Sequence, residues 1–297
     1  MALRKDTQWS PVKSKSLFFL VVAAAGFWLS TATKWSGVAE LPLHGNPMIY
    51  SDAIYQAKVK VGTPARAFDL RVDTGTDITW VRCQSSKVDD TPNAYDVSNS
   101  SSGSIIKCGD QWCGSTLPTS QKCTNRHEPC WFSITYKDGS GASGYYVSEK
   151  LLLMMKGSDG SYVESPVNIM FGCATERHGY PDTDGTLGLY YNKASLISQL
   201  DSQGKVPGVF SHCLTGQMFS KSFHVLGEVT GALNMSYTPL ILWPFHYNIK
   251  MESIDVDGKK LIVNLKDSSY VDSGTTLMYL VPEIYHSLIA TVSFFTY

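Results

Sequence analysis

The sequence predicts a mainly β fold in two lobes, and three observations carry that expectation. Gly (24) and Tyr (16) are frequent while long helical periodicity is scarce. Short runs of alternating apolar and polar residues are punctuated by turn residues. One five-residue motif occurs twice, about 200 residues apart. The chain has 297 residues, 43% hydrophobic and 17% charged, enough apolar material for one large domain or two smaller ones. Net charge is −1, with no basic block and no acidic tail, so neither nucleic acid nor an anionic membrane is expected as a partner.

The first segment reads as a leader. Leu17 to Leu29 is an unbroken apolar run, preceded by Arg4, Lys5, Lys13 and Lys15 and followed by Ser30-Thr31-Ala32, a small-x-small cleavage pattern. The run is short for a bilayer span and suits the core of a signal peptide over residues 1–32; an uncleaved anchor or a buried strand or helix is the alternative. Residues 33–53 then read as a short linker or pro-region, 54–205 as an N-terminal lobe and 206–297 as part of a C-terminal lobe.

Strand signals begin at Tyr55 to Val61 (YQAKVKV), turn at Gly62-Thr63-Pro64, and resume at Phe68 to Val72 and Ile78 to Val81. Gln84 to Ser104 is polar and Ser/Asn/Asp-rich, a long surface loop. Trp131 to Tyr136 and Gly144 to Leu153 flank a Gly-rich tip and predict a hairpin. Val167 to Phe171 reads as a buried strand, and Ser195 to Gln203 as a short helix capped by Ser195. Further strands are expected at 223–226, 247–250, 254–256, 261–265 and 270–272. Pro282 to Thr291 predicts a helix with Ile284, Tyr285, Leu288 and Ile289 on one stripe.

Of seven cysteines, Cys83, Cys108, Cys113, Cys123, Cys130 and Cys173 are candidates for three disulfides with the pairing open, and Cys213 stands apart. No C-x-x-C or H-E-x-x-H occurs, so no metal and no other cofactor is expected. Asn99 and Asn234 each open an N-x-S sequon and are glycosylation candidates.

The repeated motif carries the chemistry. Val72-Asp73-Thr74-Gly75-Thr76 returns as Val271-Asp272-Ser273-Gly274-Thr275. Either copy alone is an ordinary turn sequence. As a pair, each places a carboxylate at a strand end beside a hydroxyl residue and a Gly that permits close backbone approach. Two such loops facing each other bring two carboxylates together, where like charge leaves one proton shared between them. A half-protonated pair is a general base and a general acid at once and activates water without metal or covalent intermediate. The hydroxyls of Thr76 and Thr275 are placed to donate to the carboxylates. A mobile Gly/Ser hairpin with Tyr136 at its base is suited to a lid, and Trp80 is a candidate support for it.

With these residues in view, the chain resembles the pepsin-like aspartic proteases. Val61-Gly62-Thr63-Pro64, the first aspartate loop and Trp80-Val81 look like the family's N-lobe signature. Asp184 to Leu189 resembles its psi-loop, Tyr136-Lys137-Asp138-Gly139-Ser140 its flap, and Val271 to Thr276 its second active-site loop. The Cys-rich insert from Cys83 to Cys130, with Phe171-Gly172-Cys173 and Phe210 to Leu214, resembles the plant nepenthesin-type branch.

The resemblance implies an aspartic-type endopeptidase with an acidic optimum and Asp73 and Asp272 as the catalytic pair. Tyr136, Gly75, Gly274 and Thr275 would contact substrate, and Thr74, Thr76, Ser273 and Trp80 would support the dyad. The partner would be a peptide or protein and the enzyme a monomer. It would belong to the secretory pathway, in apoplast, extracellular space or vacuole, with membrane association open for a longer form. The family continues well beyond the position of Tyr297, so a complete N-terminal and an incomplete C-terminal lobe are expected. An impaired protease or an inhibitor-like binding protein is the alternative. Thr186 departs from the aliphatic residue the family prefers.

Overall fold

The computed structural model describes residues 2–3, 19–23, 37–45, 54–84, 93–118, 123–157, 159–179, 183–215, 221–229, 235–241, 246–256, 258–262 and 269–295. In chain order the strands are β1 (Ala2–Leu3), β2 (Phe19–Ala23), β3 (Val38–His44), β4 (Gln56–Val61), β5 (Arg66–Asp73), β6 (Trp80–Arg82), β7 (Ser104–Ile105), β8 (Trp131–Thr135), β9 (Gly141–Lys156), β10 (Tyr162–His178) and β11 (Gly185–Gly188). Helix α1 (Leu196–Ser202) follows, then β12 (Val209–Cys213), β13 (Ser222–Leu226), β14 (Tyr247–Ile249), β15 (Ser253–Val256), β16 (Lys259–Ile262), β17 (Ser269–Val271) and α2 (Pro282–Phe295).

Thirteen strands form one sheet, in the order β1-β2-β12-β13-β3-β4-β5-β11-β6-β10-β9-β7, with β8 also on β9. Two small sheets, β14-β17 and β15-β16, follow. The alternation read from sequence becomes burial. Strand β4 buries Ala57, Val59 and Val61, and β5 buries Phe68, Leu70 and Val72. These residues join Phe171, Leu187 and Phe210 in the main core, while Trp80, Phe132 and Tyr146 build a second cluster beneath the β8–β9 hairpin.

Several expectations shift. The segment read as a linker supplies β3, which pairs with β13, β4 and β9 and buries Ala39, Leu41 and Leu43. Its alternation is period-2, but Pro42 inside the run disguises it. Strands β9 and β10, of 16 and 17 residues, are far longer than their apolar segments suggest, because they pair with each other from end to end and β9 also pairs with β3, β4, β7 and β8. Phe19–Ala23, inside the apolar run, pairs with β12; a leader removed after export would leave that edge of β12 open. Helix α1 has Ser195 as its N-cap, as expected, and α2 runs on to Phe295. Residues 263–265 of the strand expected at 261–265 lie outside the described residues, as does Asn234.

The six clustered cysteines pair as Cys83–Cys173, Cys108–Cys123 and Cys113–Cys130. The first bridge links the end of β6 to β10, its parallel neighbour. Cys213 is unpaired among the described residues. Asn99 is exposed, and its side-chain amide donates to Asp96 at 2.8 Å.

Candidate active site

Strand β5 carries Asp73 to its C-terminal end, where β11 lies parallel to it with Gly188 opposite Asp73. The Leu189 N–H donates to the Asp73 carbonyl at 3.0 Å, so the predicted psi-loop segment sits directly behind the first aspartate. Thr186 in that strand is fully buried. Strand β17 delivers Asp272 in the same way, but its partner is β14.

The two loops interlock. The Thr74 N–H donates to Ser273 Oγ at 3.1 Å, and the Ser273 N–H donates to Thr74 Oγ1 at 2.9 Å. Each hydroxyl in turn donates to the opposite strand: Ser273 Oγ to the Val72 carbonyl at 2.9 Å and Thr74 Oγ1 to the Val271 carbonyl at 3.3 Å. This reciprocal set fixes the spacing of the two loops with four bonds and engages each hydroxyl as both donor and acceptor.

Each aspartate is also tied within its own loop. The Gly75 N–H donates to Asp73 Oδ1 at 2.7 Å and the Gly274 N–H to Asp272 Oδ1 at 2.8 Å. Thr275 Oγ1 donates to Asp272 Oδ2 at 2.6 Å. The two glycines are demanded by proximity. A methyl group on Gly75 would lie 2.8 Å from both Asp272 carboxylate oxygens, and one on Gly274 would lie 2.5 Å from Asp73 Cγ.

The expected symmetry fails at one point. Thr76 was read as the counterpart of Thr275, but Thr76 Oγ1 is buried and has no hydrogen-bond partner among the described residues. The first carboxylate therefore lacks the hydroxyl donor that the second one has.

Asp73 is 6% exposed, and its carboxyl lies close enough to that of Asp272 for a side-chain hydrogen bond. Its pKa stands well above the ordinary 3.8. Burial is the larger cause and the charge of Asp272 the next; the Gly75 N–H and the Arg71 guanidinium pull the other way. Burial and like charge thus leave one proton shared by the pair. Arg71, missed at first reading, also donates to the Gly274 carbonyl and bridges the two loops. Its signal was a cation two positions before the aspartate in an otherwise apolar strand end. Asp77 was missed as well; burial raises its pKa, and Asn192 Nδ2 donates to it at 2.8 Å, anchoring the end of the first loop.

The flap reads as expected. The β8–β9 hairpin turns through Tyr136 to Ser140, and the Trp80 Nε1–H donates to the Tyr136 hydroxyl at 2.9 Å. Trp80 is fully buried, so it props the flap tyrosine from below. Among the described residues, the one grouping of side chains able to hold a metal is Cys108, Cys113 and Cys123, and these sulfurs are committed to disulfides.

Comparison with known proteins matches this geometry. The family model described as xylanase inhibitor, N-terminal, matches residues 55–228. Aspartic proteinase 36 of Arabidopsis thaliana is 30% identical over 273 residues, covering 86% of this chain and 56% of its own length. Aspartic proteinase nepenthesin-2 of Nepenthes gracilis is 31% identical over 262 residues, covering 82% and 56%. The chain thus spans little more than half the length of these curated relatives. Among solved structures, the basic 7S globulin from soybean superposes with a TM-score of 0.65 at 20% identity, covering 86% of this chain and 70% of that one. Conglutin gamma, a basic 7S globulin from lupine seeds, gives 0.60 at 21%, covering 77% and 63%. With the interlocked aspartate loops, the flap and the family model over more than half its residues, the chain belongs to the plant branch of the pepsin-like aspartic protease family.

Proposed function

We propose that the chain is an aspartic-type endopeptidase that hydrolyses peptide bonds with water activated between Asp73 and Asp272. The observation that supports this most is the contact of two carboxyl groups held by reciprocal bonds between their loops, with one of them biased to keep a proton. In that state the ionised carboxylate takes a proton from water while the water oxygen attacks the scissile carbonyl. The protonated carboxyl of the pair gives its proton to the carbonyl oxygen. Collapse of the tetrahedral species breaks the C–N bond, and the leaving amine takes a proton from the dyad. The substrate is an extended peptide or protein segment gripped under the flap through backbone hydrogen bonds. Activity belongs to acidic pH, because rising pH strips the shared proton and leaves two repelling charges.

The test is cleavage of a mixed peptide library at about pH 3 to 5, the range in which paired carboxyls titrate. Asp73→Asn and Asp272→Asn should each lower kcat/KM by on the order of 10³-fold, and pepstatin should block the wild type. Full activity in either variant would remove the dyad from the mechanism. Three disulfides support passage through an oxidising compartment. Protease treatment of intact microsomes, which spares a luminal chain, checks that placement.

A second reading, a binding protein without turnover, is favoured by the printed description of the matching family model and by the thin support behind Asp272. Saturable binding of a protein partner with no cleavage at any acidic pH would select it.

A further inference from the structure

The flap reaches beyond the dyad through Lys137, the residue after Tyr136. Lys137 Nζ donates to the Tyr270 hydroxyl at 2.8 Å and lies 4.2 Å from the centre of the Tyr270 ring. Tyr270 sits on β17, two positions before Asp272. Its ring also carries His246, stacked with centroids 4.7 Å apart and planes at 25°.

His246 is held in an unusual way. Its φ is +73°, in the left-handed region that a residue with a side chain seldom occupies. The Asn248 side-chain amide donates to its carbonyl at 2.9 Å, which helps fix that backbone. Its Nδ1 is buried without a hydrogen-bond partner among the described residues. The strained backbone holds the imidazole on Tyr270, while that nitrogen stays available to a proton.

The flap turn bonds chiefly to itself. The Tyr136 N–H donates to the Ser140 carbonyl and the Gly139 N–H to the Tyr136 carbonyl, while Asp138 accepts from Ser140. These bonds set the shape of the turn. Trp80 props the turn from one side through Tyr136, and the Lys137 contact sets its position on the other, because it joins the turn to the strand that delivers the second aspartate.

We propose that Lys137, Tyr270 and His246 form a clasp that positions the flap over the two aspartates and loosens when His246 gains a proton. Its consequence for catalysis rests on the peptidase reading; its geometry does not. An ammonium over an aromatic face is attracted by the ring's negative centre. A second cation on the same ring, within reach of the first, opposes it.

The groups that face His246 are Lys137 from the flap, Tyr270 and Asp272 from the second loop, and the Tyr190 ring at 6.3 Å from the segment after β11. Burial and the Lys137 charge hold the imidazole below 6.5, against the opposite pull of Asp272. His246 is therefore neutral near pH 7 and charges only in acid. The clasp is shut at neutral pH and eases open under the acidic conditions in which the dyad holds its proton. Tyr270 is thus a positioning residue for the flap.

Hydrogen exchange of flap amides 131–145 in the 297-residue chain tests this without need of turnover, after correction for intrinsic pH dependence. At pH 7, Lys137→Met and Tyr270→Ala should each speed exchange at the turn by about fivefold, the equivalent of one cation–π contact. Between about pH 7 and 4.5 the wild type should show a similar rise, while His246→Asn, which tolerates positive φ, should stay flat. Unchanged flap exchange in Lys137→Met, or a wild-type pH response in His246→Asn, overturns the clasp. In peptide assays Lys137→Met should raise KM severalfold and leave kcat within about twofold; an unchanged KM in an active enzyme also overturns it. An inactive wild type whose flap still responds to Lys137→Met would sink the peptidase reading and leave the clasp standing.

Discussion

Asp73 and Asp272 occupy the same five-residue motif, yet the two loops rest on different amounts of structure. Behind Asp73, β11 pairs with β5 on one side and β6 on the other, and the Asp73 carbonyl accepts from Leu189. Five residues beyond Asp73, Ile78 is 6% exposed, and seven beyond it Trp80 is 0% exposed. The same offsets from Asp272 are Leu277 and Tyr279, exposed 52% and 78%. Both loops place a carboxylate, but among the described residues only the first is backed by a core. Among the described residues, the second is positioned mainly by its bonds to the first loop and by the short pairing of β17 with β14. A local motif can therefore form the same turn twice, while the packing that stiffens it is supplied from elsewhere in the fold.

Truncating the equivalent apolar residues probes that difference most forcefully. Ile78→Ala should destabilise by about 2–4 kcal/mol, because the removed methylenes leave a cavity among residues that cannot collapse onto it. Leu277→Ala should change stability by less than about 0.5 kcal/mol, since the side chain is already half in solvent. Urea unfolding of both variants measures the gap. Equal losses would mean that the second loop carries a core of its own, and the contrast between the two loops would disappear.

The pH dependence of stability sharpens the comparison next. Asp73 holds its proton more tightly in the fold than in the unfolded chain, so its contribution is fully present below about pH 3.8 and is lost as pH rises through the raised value. Near pH 7 this buried acid costs stability. Asp73→Asn removes the cost and should be more stable than wild type there by roughly 2 kcal/mol, with a flatter profile through the acid range. Asp272→Asn removes the neighbouring charge but not the burial that is the larger cause, so it should flatten the profile less. Thermal melts of the three proteins from acid to neutral pH rank them, and a wild-type slope retained in Asp73→Asn would contradict the raised proton affinity of the buried pair.

Much of this was legible in the sequence because the informative signals are local. Alternation located β4, β5 and the flap hairpin, and two copies of one motif located both aspartates. What escaped depends on partners distant in sequence. β3 looked like a linker because its burial is decided by β13, nearly two hundred positions away. The three disulfides could be counted but not paired, since spacing does not reveal which strands lie side by side. That Lys137, Tyr270 and His246 meet carried no signal, because they lie in three separate stretches of the chain until the fold brings them together. Trp80 and Ser273 were singled out through the family resemblance, and their contacts fit it: the Trp80 indole donates to the Tyr136 hydroxyl and the Ser273 hydroxyl to the Val72 carbonyl.

The smallest expected effect isolates the one place where the motif misled. Thr76 and Thr275 follow their aspartates at the same distance, but only the Thr275 hydroxyl reaches a carboxylate. Valine replaces either side chain at nearly the same volume, so packing is kept and only the hydroxyl is tested. Thr275→Val removes a 2.6 Å bond to Asp272 and should cost about 1–2 kcal/mol, with a matching fall in kcat/KM. Thr76→Val removes a buried hydroxyl that satisfies nothing among the described residues, so it should be neutral or stabilise by up to about 1 kcal/mol. If Thr76→Val instead costs as much as Thr275→Val, its hydroxyl bonds to the first aspartate after all, and the two loops are more alike in their chemistry than in their packing.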